Sequence, residues 1–313
     1  MSFKTIPGMF QSLVEEKPNL KTFYTKGENG WEGIELIDLQ KSVEDFANGL
    51  KNLGINKHEK VAIVGANSRK WAISDYAIAH IRAVSVPVYP TLIPAQSRYV
   101  VDHSESKVAI VQDALQLDKV YPLINDANSN LNTIIVMDDN YDGNKENVVK
   151  FSEVFKMKDE VHDIRELSKT VVEDDLLTLI YTSGTTGNPK GVLYAHRSTI
   201  VHSLAAAAPD NLSVSARDVV MPVAPMFHAN SWGIPYVATM VGAKLVLPGR
   251  HLDGESVHSL ITKESVTLTA AVPTIWLMLF EYLEKSGKSL DSLNRCMIGG
   301  SACPRSMMEI FKK

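Results

Sequence analysis

Cysteine is scarce in this chain. Cys296 and Cys303 are its two thiols, and they supply neither a disulfide framework nor a zinc ligand set, which fits a reducing, cytoplasmic setting. The nine histidines include no His-x-x-x-His pair beside a carboxylate, so a zinc site is not expected. Charge of one sign is also missing. A formal net charge of −4 gives no electrostatic case for nucleic acid or an anionic membrane as partner, and any anion must be bound locally. The start, Met1-Ser-Phe-Lys-Thr-Ile-Pro7, has no charged stretch leading into an apolar one, so no secretory signal is read there. Residues 219–243 lack Asp, Glu, Lys and Arg, yet Pro222, Pro225, Asn230, Gly233 and Pro235 would break a lipid-exposed helix, and no membrane span is expected. A serine hydrolase is poorly supported, because Gly-x-Ser-x-Gly does not occur and Ser183 sits between Thr182 and Gly184. Repeats, heptads and low-complexity tracts are absent too.

What is present is ordinary globular material, 45% hydrophobic and 22% charged over 313 residues, long enough for more than one domain. Short β-branched runs alternate with segments of helical period. Strands are expected at 60–65, 85–89, 108–112 and 134–137, with helices at 68–84 and 94–103. Such alternation predicts an α/β fold, a parallel or mixed sheet covered by helices on both faces. Past residue 137 the pattern lapses into a charged segment, 138–175, read either as a domain boundary or as a solvated excursion within one domain. The expected division is a first α/β subdomain over 1–175 and a second over 176–313. In the second, strands are expected at 176–180, 192–195, near 219, and at 244–247, 266–269 and 295–298. Helices are expected from 196 or 198 and over 273–283, and Pro304 is placed to open a last one.

The densest signal is Tyr181-Thr-Ser-Gly-Thr-Thr-Gly-Asn-Pro-Lys-Gly191, directly after an apolar run. Gly184, Gly187 and Gly191 let the backbone take positive φ and bring N–H groups up to phosphate oxygens. Thr182, Ser183, Thr185 and Thr186 add hydroxyls, Lys190 supplies counter-charge, and Pro189 stiffens the turn. A Walker A loop needs Gly-Lys-Ser/Thr, whereas here Pro189 precedes Lys190 and Gly191 follows it. A second segment, Pro225-Met-Phe-His228-Ala-Asn230-Ser-Trp232-Gly233, gathers an imidazole, an amide and an indole between a strand and a helix, where they either border a pocket or pack as core. Gly299-Gly300-Ser301-Ala302 follows a buried strand and reads either as a tight turn or as a backbone surface on which a flat base can lie.

In these three ordered motifs the chain resembles the adenylate-forming superfamily of acyl-CoA synthetases, peptide-synthetase adenylation domains and luciferases. The similarity runs from about Trp31–Leu39 to the Gly-Gly-Ser-Ala turn. It implies the large N-terminal α/β domain of such enzymes, with layered sheets, and ATP, Mg²⁺ and CoA as the small molecules handled. By resemblance, Thr182, Ser183, Gly184, Thr185, Thr186, Gly187 and Lys190 hold the phosphates, and Thr186 is the metal-side hydroxyl. Gly299, Gly300, Ser301 and Ala302 take the adenine. His228 meets the carboxylate region and, with Thr186 and Lys190, forms the expected catalytic set. Asn230 and Trp232 join it on the acid, Trp232 at the position of the gate tryptophan of fatty-acyl-CoA synthetases. Pro273 and Trp276 lie in the segment resembling the acyl-pocket helix, although residue by residue an apolar helix face is core more often than substrate wall. Ala83-Val-Ser-Val-Pro87 departs from the family's Gly-Ala before Val-Pro, which bears on packing.

The implied activity is an acid–CoA ligase for a fatty or other apolar carboxylic acid, its chain length unread. A non-catalytic nucleotide-binding remnant and another acyl-adenylating enzyme are the alternatives, and a homodimer stays open. Nothing after Gly191 resembles the family's Tyr-Gly-x-Thr-Glu, and Lys313 falls where the pattern calls for a continuing helix. The resemblance therefore implies a piece of a longer protein, truncated before the small C-terminal domain and unable to form acyl-CoA by itself.

Overall fold

A computed structural model describes residues 3–27, 30–182 and 188–311. The chain enters through α1 (Ile6–Glu16), where the Thr5 hydroxyl caps the first turn by accepting from Gly8 N–H at 3.2 Å. A hairpin of β1 (Lys21–Gly27) and β2 (Gly30–Glu35) leads into α2 (Leu36–Asn52). The alternating unit follows as β3 (Lys60–Val64), α3 (Arg69–His80), β4 (Val84–Val88), α4 (Pro94–His103), β5 (Ser106–Val111), α5 (Ala114–Val120) and β6 (Thr133–Val136). After it come β7 (Val148–Lys150), α6 (Phe151–Val154) and α7 (Ile164–Lys169). The expected helix over 68–84 ends at His80. Arg82 turns the chain at φ 61° and ties its guanidinium to Asp175 at 2.8 and 3.1 Å, which frees Val84 to start the next strand.

The second half contributes β8 (Leu176–Thr182), β9 (Lys190–Ala195), α8 (His196–Ala207), β10 (Val219–Pro222), the single turn α9 (Ala229–Trp232) and α10 (Ile234–Val241). It continues with β11 (Lys244–Leu245), α11 (Gly254–Glu264), β12 (Leu268–Ala271), α12 (Pro273–Ser286), β13 (Arg295–Ile298) and α13 (Arg305–Ile310). Pro304 precedes α13 as its N-cap, one residue short of the helical position expected for it.

Two larger sheets organise these elements. One is seven-stranded, in the order β7-β6-β5-β3-β4-β8-β9, parallel except for the antiparallel β8–β9 pair. The other is parallel, in the order β11-β10-β12-β13. The division expected at residue 175 is therefore not a sheet boundary, because β8 and β9 complete the sheet begun by the first half. The two halves also share one core. Phe10, Phe23, Trp71 and Tyr76 belong to the same buried cluster as Val220, Tyr236 and Leu268. In α3, all ten residues from Trp71 to His80 are buried, as expected of a helix pressed between layers instead of lying on a surface.

Candidate active site

The phosphate-loop residues stand at the end of the β8–β9 hairpin. Its register runs from Leu176 opposite Ala195 to Thr182 opposite Lys190. Directly opposed residues of an antiparallel pair put their side chains on one face, so the Thr182 hydroxyl and the Lys190 ammonium share the hairpin's mouth, and both residues are exposed there. Ser183, Gly184, Thr185, Thr186 and Gly187, and with them the expected metal-side hydroxyl, lie outside the described residues. Gly191 corrects one expectation. It is an extended β9 residue opposite Tyr181 and does not use positive φ. A Cβ there would meet Leu179 Cδ1 at 2.6 Å, so a larger residue would have to displace the end of the Leu179 side chain. Pro189 is braced from the first half, its carbonyl accepting from Tyr99 Oη at 3.3 Å.

The histidine segment is built by distant residues. Asn67, buried just ahead of the Ser68 cap of α3, donates to Pro222 O at 2.8 Å and Ala224 O at 2.9 Å and accepts from Met226 N–H at 2.6 Å. The chain then makes a left-handed turn, with φ of 44°, 47°, 54°, 55° and 72° over Ala229, Asn230, Ser231, Trp232 and Gly233. Non-glycine residues pay roughly 1–2 kcal/mol each for this conformation, so surrounding contacts must fix it. Ser231 Oγ donates to Ala224 O at 2.6 Å, and Ser231 N–H donates to Pro225 O at 3.0 Å. Asn230 Nδ2 donates to Tyr236 Oη at 2.9 Å, and that hydroxyl donates to Asp75 Oδ2 at 2.7 Å. Burial pushes the Asp75 carboxyl up to about 6 against the opposing pull of the Tyr236 and Ser85 hydroxyls.

His228 precedes the turn, and its Nδ1 shares a hydrogen bond with Tyr89 Oη. Partial burial lowers the imidazole pKa and raises that of the phenol, so both groups favour their neutral forms at neutral pH. With Nδ1 engaged, Nε2 is the nitrogen left to meet a ligand. A cavity of about 390 Å³ opens beside the turn, and Thr178, Ile180, Tyr194, His202, Asn230 and Trp232 are among its lining residues. The hairpin that carries Thr182 and Lys190 at one end thus walls this cavity with β8 and β9. On its other side the Trp232 indole lies against Gly299, where a Cβ would come within 2.7 Å of Cη2.

The structure therefore brings together Thr182 with Lys190, and Trp232 with Gly299, while His228 bonds Tyr89 and Asn230 bonds Tyr236. Gly300 follows at φ 79°, and Gly300, Ser301 and Ala302 are exposed at the end of β13. Pro273 and Trp276 are placed apart from the cavity. Pro273 is buried at the start of α12, and Trp276 sits among Met221, Val257 and Leu279 with its ring edge-on to Phe311 at 5.2 Å. Of the two readings of that helix face, core packing is what surrounds Trp276. Asn67, Asp75, Tyr89 and Tyr236 were not legible as site residues. Asn67 reads only as part of a helix start, and each of the four has a partner more than a hundred residues away. Among the described residues no group of three or more His, Cys, Asp or Glu could hold a metal, and no helix is long and apolar enough to cross a membrane.

Known proteins match this chain over most of its length. The family model for AMP-binding enzymes matches residues 10–313. A medium-chain-fatty-acid–CoA ligase from Ectopseudomonas oleovorans is 37% identical over 290 residues, 90% of this chain and 50% of its own length. A long-chain-fatty-acid–CoA ligase from Thermus thermophilus is 40% identical over 268 residues, 85% of this chain and 47% of its own. The chain thus spans about half the length of the curated relatives it matches. The inhibitor-bound N-terminal domain of FACL13 from Mycobacterium tuberculosis superposes with a TM-score of 0.80 at 25% identity, covering 99% of this chain and 73% of that one.

Proposed function

The chain belongs to the AMP-binding enzyme family, and on that premise we propose that it serves an acid–CoA ligase, activating an apolar carboxylic acid through an acyl-adenylate. One observation carries the reading. A single hairpin both presents Thr182 and Lys190 at its mouth and walls the cavity that Asn230 and Trp232 line, so a carboxylate leaving that cavity would meet a nucleotide held at the hairpin. In the first step a carboxylate oxygen attacks the α-phosphorus of ATP and the bond to pyrophosphate breaks. In the second the CoA sulfur attacks the acyl carbon, loses its proton and releases AMP.

The barrier to the first step is charge, since an anion must approach a polyanion, and positioned donors fixed before reaction lower it most. Lys190 and the hairpin amides are the groups suited to the β- and γ-phosphates, and Mg²⁺ accompanying the nucleotide would add counter-charge there. His228, neutral and oriented by Tyr89, is suited to hold the carboxylate. Trp232, standing between the cavity and Gly299, is suited to separate the acid from the adenine side, where Gly299, Gly300, Ser301 and Ala302 would receive the base. Medium- and long-chain fatty acids, named for the relatives, are the acids to test first. A cytoplasmic site of action fits the free Cys296 and Cys303.

The test is ATP–pyrophosphate exchange in the protein as its gene encodes it, with butyrate, octanoate or palmitate supplied, followed by mass detection of acyl-CoA. Exchange that requires the acid, with thioester formed when CoA is added, is expected. Nucleotide binding with no acid-dependent exchange would overturn the reading in favour of a non-catalytic binder.

A further inference from the structure

Asp75 is a buried carboxylate, 2% exposed, and no ion pair among the described residues includes it. It lies on α3 in the first half of the chain, 161 residues from the tyrosine that bonds it. Its Oδ1 has no hydrogen-bond partner, and the nearby Ser85 hydroxyl bonds Leu177 O at 3.3 Å. An unpaired carboxylate in a core is costly, and one retained there is best explained by what it bonds. Here that is Tyr236 Oη, which burial keeps protonated, since its pKa is pushed well above the ordinary phenol value. The hydroxyl gives its one proton to Asp75 and takes one from Asn230 Nδ2. Asn230 is the second residue of the left-handed turn, and Trp232 is two residues further on. The link is directional: without an acceptor at position 75, the Tyr236 proton has no fixed target and Asn230 loses the partner that sets its orientation. Alongside, Tyr76 Oη donates to Thr239 Oγ1 at 2.9 Å, so α3 and α10 stay tied even if the Asp75 link is cut.

We propose that Asp75 is a positioning residue for the cavity beside the left-handed turn, holding Asn230 through the Tyr236 hydroxyl and thereby fixing where Trp232 stands against Gly299. The inference takes its meaning from the acid-ligase reading, with Asp75 setting acid recognition from outside the cavity, but its test does not depend on that reading. The four tryptophans are labelled as 5-fluorotryptophan, and the Trp232 ¹⁹F line is identified by its loss in Trp232→Phe. Tyr236→Phe and Asp75→Leu are expected to shift or broaden that line while those of Trp31 and Trp276 stay in place. Asp75→Asn, which keeps an acceptor, is expected to restore it. With octanoate as substrate, Tyr236→Phe is expected to raise the acid KM about tenfold, the worth of one buried hydrogen bond, and to leave the ATP KM unchanged. An unmoved Trp232 line, or all lines moving together with loss of the folded spectrum in both variants, would overturn the proposal. Movement of the Trp232 line alone, in a protein with no acid-dependent exchange, would sink the ligase reading and leave the positioning role standing.

Discussion

The phosphate hairpin and the Ala229–Gly233 turn border the same cavity, yet they are held in opposite ways. The hairpin's own ladder is local, although Tyr99 braces Pro189 and β8 pairs with β4. Its strands follow one another in sequence, their ladder is continuous from Tyr181–Gly191 to Thr182–Lys190, and its functional groups point to solvent. The turn depends on residues from elsewhere: Asn67 clamps the segment before it, Tyr89 holds His228, and Asp75 with Tyr236 holds Asn230. An exposed, ligand-facing group at the open end of a hairpin can be removed with little consequence for the fold. A residue that builds the turn cannot, because its loss leaves buried partners unpaired.

Lys190→Ala should break the comparison most visibly. Acid-dependent pyrophosphate exchange is expected to fall about 10²–10³-fold, the usual cost of removing one positioned electrostatic donor, with the melting temperature unchanged. Exchange at the parent rate would remove Lys190 from the site, and a lowered melting temperature would give it a structural role that the comparison denies.

Asn67→Ala is the matching experiment on the other region. It removes the Asn67 donor from the Pro222 and Ala224 carbonyls and the acceptor from the Met226 N–H, and is expected to cost about 2–4 kcal/mol of stability, read from denaturant midpoints at constant slope. A loss of activity with unchanged stability would mean that Asn67 meets a ligand and that the turn stands without it.

Acid should separate the two regions more gently. Burial lowers His80 and His196 to about 4, and the Ile6 N–H donates to His196 Nδ1 at 3.2 Å, so protonating that nitrogen breaks a buried bond. The unfolded chain gains these protons near 6.5 and the folded chain only near 4, so stability falls as pH drops through that window. Asp75 has the opposite sign. Its folded form takes up a proton near 6 and its unfolded form near 3.8, so it gains stability over much the same interval. Tyr76 and Tyr236, the other titratable groups beside it, stay protonated throughout, with pKa values raised by burial. The net fall in melting temperature from about pH 7 to about pH 5 is therefore expected to be small, and steeper in Asp75→Asn, where the offset is gone. Equal slopes for the variant and the parent would show that Asp75 is already neutral, or charged, across the whole range.

By itself the sequence determined what could be read from neighbours along the chain. Most strands of the α/β layers, the helix over Pro94–His103, and the strands flanking the phosphate loop follow from periodicity and from glycine, proline and hydroxyl residues close together. It also placed His228 and Trp232 in one segment. Tertiary structure alone decided the rest. The seven-stranded sheet recruits β8 and β9 across residue 175, because an edge strand pairs with whatever edge the packed core presents. Trp276, whose helix face reads more often as core than as pocket wall, packs in the core with Phe311. The left-handed run at Ala229–Trp232 carries no local signal, since alanine, asparagine, serine and tryptophan do not choose that conformation as a series. It exists because Asn67, Asp75 and Tyr236 arrive there from other elements, and hydrogen bonds between residues more than a hundred positions apart leave no spacing in a sequence to read.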